Sequence, residues 1–548
     1  MKLKKLLLIL SIISLLWCSS LLIEKARITE DAQLLEAGKS LYREGVLTNG
    51  QPLNGISMGE IVLTGAQAAC VNCHRRSGMG ASEAGQRVLP ITGAALYQPG
   101  PPSLWYQHNT SQPNENPLRP AYTDSTLAKA IHEGITPTGR TLQPVMPRFN
   151  LNAADRKALL AYLKSLSNPS LAVDADTIHW ATVITPDANP AERSATLDLM
   201  AAFFKDKNAQ ISNYLHSGHI PPNRGYAPLR KWVLHVWELQ GEPETWGNQL
   251  TAHFNKRPVL AVLAGVGGDH CLPVHTFCEN QEVACLFPNT NVPPIQDNDF
   301  YSRYFSKGLT LEAEVLAEFL RTNQTQQPTH ILQVYRQGLQ GEVPATIFRQ
   351  VIQPNGNIKL GNRQIAPKEK LDTLFWHRLI ETERPDALVL WLREQDLASL
   401  DLTAQLPHTV YLSGHLLKGR ASTFVKPPLN KVYLISPWEP QQANVERFIR
   451  MREWMEDKNL QVTDELLQGN ILWFLWLLDD AVEQITHHFS SDYLIERIED
   501  ITGDYSSASP YPRISLGLGQ RFAAKGCYIL ALGTNGQWQP IGNLIVPP

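Results

Sequence analysis

From Ile178 onward the chain alternates short apolar runs with longer segments whose apolar residues recur every three or four positions. IHWATVIT, WVLHVWEL, VLAVLAGVGG, HILQVYR, DALVLWL, TVYLSG and KVYLISPWE read as strands, while AERSATLDLMAAFFKDK and ETWGNQLTAHFNK read as helices between the first three. Repeated β-α units of this length predict parallel sheets covered by helices, hence an α/β architecture. The region 171–548 holds 378 residues, more than one such sheet organises, so two α/β lobes are expected.

Upstream the pattern is different. NAADRKALLAYLKSL places Leu159, Leu160, Leu163 and Leu166 at helical spacing, and the stretch before it, GRTLQPVMPRF, is a loop because Pro144 and Pro147 block a helix. Residues 30–170 therefore read as a separate helical domain. Near the C-terminus, Trp473 and Trp476 in ILWFLWLLDDAVEQI recur with leucines as a buried helix face. Its apolar run ends at Asp479, too short for a membrane span.

The first 29 residues carry an export pattern. Lys2, Lys4 and Lys5 precede an apolar run from Leu6 to Ile23, followed by Glu24, Lys25 and Arg27. The run is near the lower limit for crossing a bilayer and is interrupted by serines, with no A-x-A cleavage site, so an uncleaved or lipid-held membrane anchor is expected. A formal net charge of -3 and a pI near 6.6 give no basic footprint. Nucleic acid is not an expected partner.

The chemistry concentrates in CVNCH, Cys70 to His74. In a C-x-x-C-H pentapeptide the two thiols add across the vinyl groups of a haem, and the adjacent imidazole is its axial ligand. With 7 Cys and 16 His in 548 residues, chance supplies such a pentapeptide on the order of a few times in a thousand. A thioredoxin-like C-x-x-C would follow a β-α-β pattern, which is missing before Cys70. A zinc site would need a second short-spaced ligand pair, and the other cysteines form none.

Met146, on the Pro-flanked loop, is the natural sixth ligand, since a thioether favours the reduced iron of an electron carrier. Met58, Met79, His108 and His132 compete for that place less well. Arg75, Arg76, Trp105, Tyr122 and Arg140 are candidate haem-edge contacts, and each reads equally as a solvated or packing side chain. The cysteines that remain after Cys70, Cys73 and the anchor's Cys18 are Cys271, Cys278, Cys285 and Cys527. An oxidising compartment permits a disulfide among them, with Cys271 and Cys285 the preferred pair beside the reading of buried free thiols.

Residues 32–168 resemble a class I cytochrome c domain. AGKSLYREG is similar to that family's N-terminal helix, CVNCH to its haem attachment site, MPRF to its methionine loop and LLAYLKSL to its C-terminal helix. The resemblance implies an all-α domain over 30–170 with one covalently bound heme c on Cys70 and Cys73, its iron between His74 and Met146. About twenty-five residues separate the first helix from Cys70, so an inserted loop is expected. The region 171–548 resembles type I periplasmic binding proteins of the branched-chain amino acid receptor kind. That resemblance implies a small-molecule ligand between the lobes, yet the loop GVGGDHCLPVH lacks the hydroxyl residues those receptors use for a ligand carboxylate. Gly265, Gly267 and Gly268 read better as a tight turn than as an anion cradle, and Asp269 would oppose an anion.

No G-x-S-x-G elbow, P-loop or H-E-x-x-H appears, and His487 and His488 read as solvent-facing. The sequence thus describes an exported, membrane-tethered periplasmic electron carrier rather than an enzyme, with redox partner proteins and a binding module. A ligand-responsive redox sensor and an electron-accepting subunit of a periplasmic dehydrogenase are the alternatives.

Overall fold

The computed structural model describes residues 29–548 except 84–85, 101–118, 219–228, 269, 297–298, 323–327, 354–357, 401–408, 420–430, 440, 487 and 534–535. The export segment, Trp105, His108, Asp269 and His487 lie outside the described residues. The chain divides into two compact units, Met1–Pro169 and Ser170–Pro548.

The first unit is mainly helical. A helix over residues 29–44 packs against the helix Ala153–Ser165, and the two meet at Gly38. A Cβ on Gly38 would stand 2.2 Å from the Ala158 carbonyl oxygen, so only glycine lets the backbones approach this closely. Asn152 caps the second helix by accepting the amides of Ala154 and Asp155. The helix Asp124–Glu133 begins in a Thr123/Thr126 capping box and ends on left-handed Gly134. Leu41, Tyr42, Leu127, Ile131, Leu159 and Leu163 from these helices form one buried core.

The all-α expectation needs a correction. The segment before Cys70, expected as an inserted loop, is an antiparallel hairpin of β1 (Asn54–Ser57) and β2 (Ile61–Thr64). A two-residue pair, β3 (Ser82–Glu83) with β4 (Gln86–Arg87), follows. β5 (Arg148–Phe149) then adds to β1, giving a three-stranded sheet in the order β2-β1-β5. Alternation in NGIS is too short to announce a strand, and its pairing partner lies ninety-odd residues downstream, at a separation local patterning does not reach.

The second unit contains two sheets. β6 (Thr177–Ile184), β7 (Lys231–Glu238), β8 (Ala261–Leu263), β9 (Ala284–Leu286) and β10 (Ser302–Arg303) form a parallel sheet in the order β10-β9-β8-β6-β7. β11 (His330–Arg336), β12 (Lys359–Ile365), β13 (Ala387–Trp391), β14 (Thr409–Ser413), β15 (Lys431–Ser436), β16 (Tyr528–Leu532) and β17 (Trp538–Pro540) form the other, ordered β12-β11-β13-β14-β15-β16-β17. It is parallel as far as β15 and closes with two antiparallel strands. Every residue of β13 is buried, because helices cover both faces of a parallel sheet. The expected two α/β lobes are present.

The helix Glu465–Glu483 is apolar on most of its circumference and sits in the core, with Trp473 fully buried. It packs on the helix Pro190–Ser217, where buried Lys207 pairs with Asp479 and Glu483. Among the described residues no helix is long and apolar enough to cross a membrane.

Candidate functional site

The C-x-x-C-H segment forms one short helix, Val71–His74, with Cys70 immediately before it. The His74 amide donates to the Cys70 carbonyl at 2.9 Å, and Asn72 Nδ2 ties the turn to the Ala66 carbonyl at 2.8 Å. Arg75, at φ 58°, stops the helix, and the Tyr42 hydroxyl holds that stop by donating to the Arg75 carbonyl at 2.7 Å. The result presents Cys70 half-buried, Cys73 exposed and His74 buried.

His74 Nδ1 lies 3.1 Å from the Leu89 carbonyl oxygen. Burial lowers the imidazole pKa to about 4, opposed in part by that hydrogen bond, so the ring is neutral. A neutral ring that donates from Nδ1 to a carbonyl carries its lone pair on Nε2, the protonation state a metal ligand needs. Burial also pushes the Cys70 thiol up to about 12. Dithiol redox motifs of the thioredoxin type depress their thiol instead, so CVNCH does not have their electrostatics.

Met146 sits on a loop that the hairpin fixes from one side. The Met58 amide donates to the Pro144 carbonyl at 2.8 Å and the Ser57 hydroxyl to the Val145 carbonyl at 3.1 Å. Arg148 fixes the other side, donating to the carbonyls of Met146 and, at 3.0 Å, Leu142. Gly55 lets β1 lie flat on Phe149, whose ring would be 2.6 Å from any Cβ there. Met146, Cys70 and Val71 pack on the same apolar core.

Two of the competing residues have these surroundings. Met58 is 59% exposed at the hairpin turn, and exposed His132 turns its Nδ1 to the Phe149 carbonyl at 3.2 Å. Arg75 is buried, Tyr122 lies under the Arg119 guanidinium, and Arg140 is exposed. Two thiols on one helical turn, a neutral imidazole with an oriented tautomer, and a thioether on a pinned loop fit a covalently held haem. Cys70, Cys73, His74 and Met146 are the residues that would hold it.

In the second unit a small, half-open depression lies at the C-terminal ends of β6, β8 and β9. In open α/β sheets that edge is where ligands bind. Thr185, Gly267, Gly268, Cys271, Cys285 and Asn289 contribute to its lining. The Gly268 amide donates to Asp187 Oδ1 at 3.1 Å, and the Thr185 hydroxyl donates to the same carboxylate. A Cβ on Gly268 would stand 2.0 Å from Asp187 Oδ2. The glycines therefore serve a tight turn closed on the protein's own carboxylate. Asp187 escaped sequence reasoning because it lies some eighty residues from the loop it closes.

The six described cysteines are free thiols, so the preferred Cys271–Cys285 disulfide is not formed. Cys271, Cys278 and Cys285 nevertheless gather in the first lobe, while Cys527 is buried beside the second sheet. The solvent-facing assignment of His488 is also corrected. Its ring is half-buried against Tyr493, and Nε2 is 3.3 Å from the Ser490 hydroxyl, because the chain turns there into the amphipathic helix Ser491–Ile501.

Residues 64–167 match the family model described as Cytochrome c, and a cytochrome c domain implies covalently bound haem c. No curated protein sequence matches the chain. Among solved structures, a leucine binding protein from Thermotoga maritima MSB8 is similar at 14% identity and a TM-score of 0.48, covering 67% of this chain and 99% of its own. A possible leucine/isoleucine/valine-binding protein from Rhodopirellula baltica SH 1 has 14% identity and a TM-score of 0.49, covering 68% and 97%. A branched chain amino acid ABC transporter from Thermus thermophilus with bound valine has 11% identity and a TM-score of 0.48, covering 68% and 96%. The two-lobed α/β assignment stands on the strand orders given above.

Proposed function

We propose that this chain is an exported monohaem c-type cytochrome that carries electrons, with an α/β module for ligand or partner binding. The observation that carries the reading is the His74 imidazole, neutral and fixed through Nδ1 on the Leu89 carbonyl, one residue from a haem-attachment cysteine. Bound there, haem supplies a one-electron exchange between ferric and ferrous iron. Cys70 and Cys73 hold the group covalently, His74 presents Nε2, and the hairpin with Arg148 keeps Met146 from swinging away. With His74 and Met146 both holding the group, no coordination site would be left for a substrate. The chain acts as a carrier and not as an enzyme.

The lysine-led apolar segment at the N-terminus supports export to the periplasm and tethering there, with redox partner proteins in the same compartment. The depression at the ends of β6, β8 and β9 favours one further reading, a ligand-responsive redox sensor.

A redox titration of the purified full chain tests this. A single transition with one electron per chain, and reoxidation by a second cytochrome, is the expected result. Absence of a reversible transition would remove the carrier role. A midpoint that moves when a small molecule is added would select the sensor reading.

A further inference from the structure

A second cluster of nucleophilic and titratable side chains lies in the first lobe, in the second compact unit rather than the one that carries CVNCH. Cys271 immediately precedes the helix Leu272–Gln281 and Cys285 belongs to β9, and both line the depression at the strand ends. Cys278, on the helix, is in hydrogen-bond reach of Cys285. The Cys271 sulfur is hydrogen-bonded to the Tyr304 hydroxyl. That hydroxyl is 2.8 Å from His275 Nδ1, and His275 Nε2 is 2.8 Å from Asp299 Oδ2. Arg521 holds Asp299 at 3.2 Å, and His275 is fully buried. Glu279, the other acid beside His275, accepts the amides of Phe300, Tyr301 and Ser302 and so fixes the segment that carries Asp299 and Tyr304. Thiol, phenol, imidazole and carboxylate form one hydrogen-bonded chain from the pocket wall into the core. Such a chain moves a proton.

We propose that Cys271 and Cys285 are a dithiol–disulfide site, with Cys271 as the attacking thiol and Tyr304, His275 and Asp299 as its proton relay. At rest the Cys271 S–H donates to the Tyr304 oxygen, the Tyr304 O–H to His275 Nδ1, and the His275 Nε2–H to Asp299. Shifting one proton along each of the first two bonds leaves a thiolate on Cys271 and an imidazolium facing the Asp299 carboxylate. Burial pushes the Cys271 thiol up to about 12, so the thiol is inert until a reaction draws on the relay.

The co-reactant is a disulfide. The Cys271 thiolate attacks one of its sulfurs, the co-reactant S–S bond breaks, and the departing thiolate takes the proton held on His275. Cys285 then attacks Cys271 Sγ, forming the Cys271–Cys285 bond and releasing the second thiol with the Cys285 proton. Two electrons pass from the protein to the co-reactant, and each of its sulfurs leaves as a thiol.

The test uses the haem-loaded full chain, in which Cys70 and Cys73 are out of the thiol pool. It is incubated with oxidised glutathione, quenched with an alkylating reagent and mapped by non-reducing peptide mass spectrometry. The expected product is a Cys271–Cys285 crosslink, absent in Cys271→Ser. Tyr304→Phe should slow its formation about a hundredfold and move the rise of the rate to higher pH. Asp299→Asn should do the same and serves if Tyr304→Phe folds poorly. Thiols that stay alkylatable, a crosslink that omits Cys271, or relay variants that react at the wild-type rate would each overturn the proposal.

Discussion

His74 Nδ1 is 3.1 Å from the carbonyl oxygen of Leu89, fifteen residues further along the chain. A backbone acceptor is present whatever side chain occupies position 89, so the tautomer of His74 is set by the path of the chain. Replacing His74 with Ala removes the imidazole that directly follows Cys73. The variant should lose the low-spin absorption spectrum while the fold persists, as judged by circular dichroism.

Met146 is held by contacts to the backbone around it, from Met58, Ser57 and Arg148. Truncating the side chain should leave that loop in place and open one coordination position. Met146→Ala should therefore bind carbon monoxide readily in the reduced state, the parent should not, and the variant should have a lower midpoint potential. A carbon monoxide difference spectrum and a redox titration read both effects.

Gly38 meets Ala158 with no room for a methyl group, since a Cβ would stand 2.2 Å from the Ala158 oxygen and 2.7 Å from Tyr162 Cβ. Gly38→Ala must push the two helices apart. Overpacking of this kind costs about 1–3 kcal/mol, outweighing the gain in helix propensity of roughly 1 kcal/mol. Denaturant unfolding followed at the haem band should report the difference.

Burial lowers the pKa of His488, with Asp492 opposing the effect. The unfolded chain binds a proton there near the ordinary histidine value of about 6.5, and the folded chain resists it. Below that pH the unfolded state holds more protons, so stability contributed by this site is complete above it and falls as the pH drops. His488→Gln should flatten the acid limb of the melting temperature as the pH falls below about 6.5, compared with the parent.

Much of the architecture was legible in the sequence because it is written locally. The run ALVLW states a strand buried on both faces, and ILWFLWLLDD a core helix, within a few residues each. CVNCH states its chemistry in five. The features that were missed depend on residues far apart: β1 finds its partner in β5, Asp187 closes the Gly268 turn, and Cys271 reaches the His275–Asp299 pair through Tyr304. Short polar strands and single carboxylates carry no periodicity, so only the folded chain brings them together.

The central claim is that one haem is bound covalently through Cys70 and Cys73. Intact-mass spectrometry of the full chain, produced in a host that matures c-type cytochromes and denatured before measurement, tests it most directly. One haem retained per chain, and none in the Cys70→Ala/Cys73→Ala double variant, is the predicted result. A chain that leaves denaturation without haem, or a double variant that keeps it, would contradict the account.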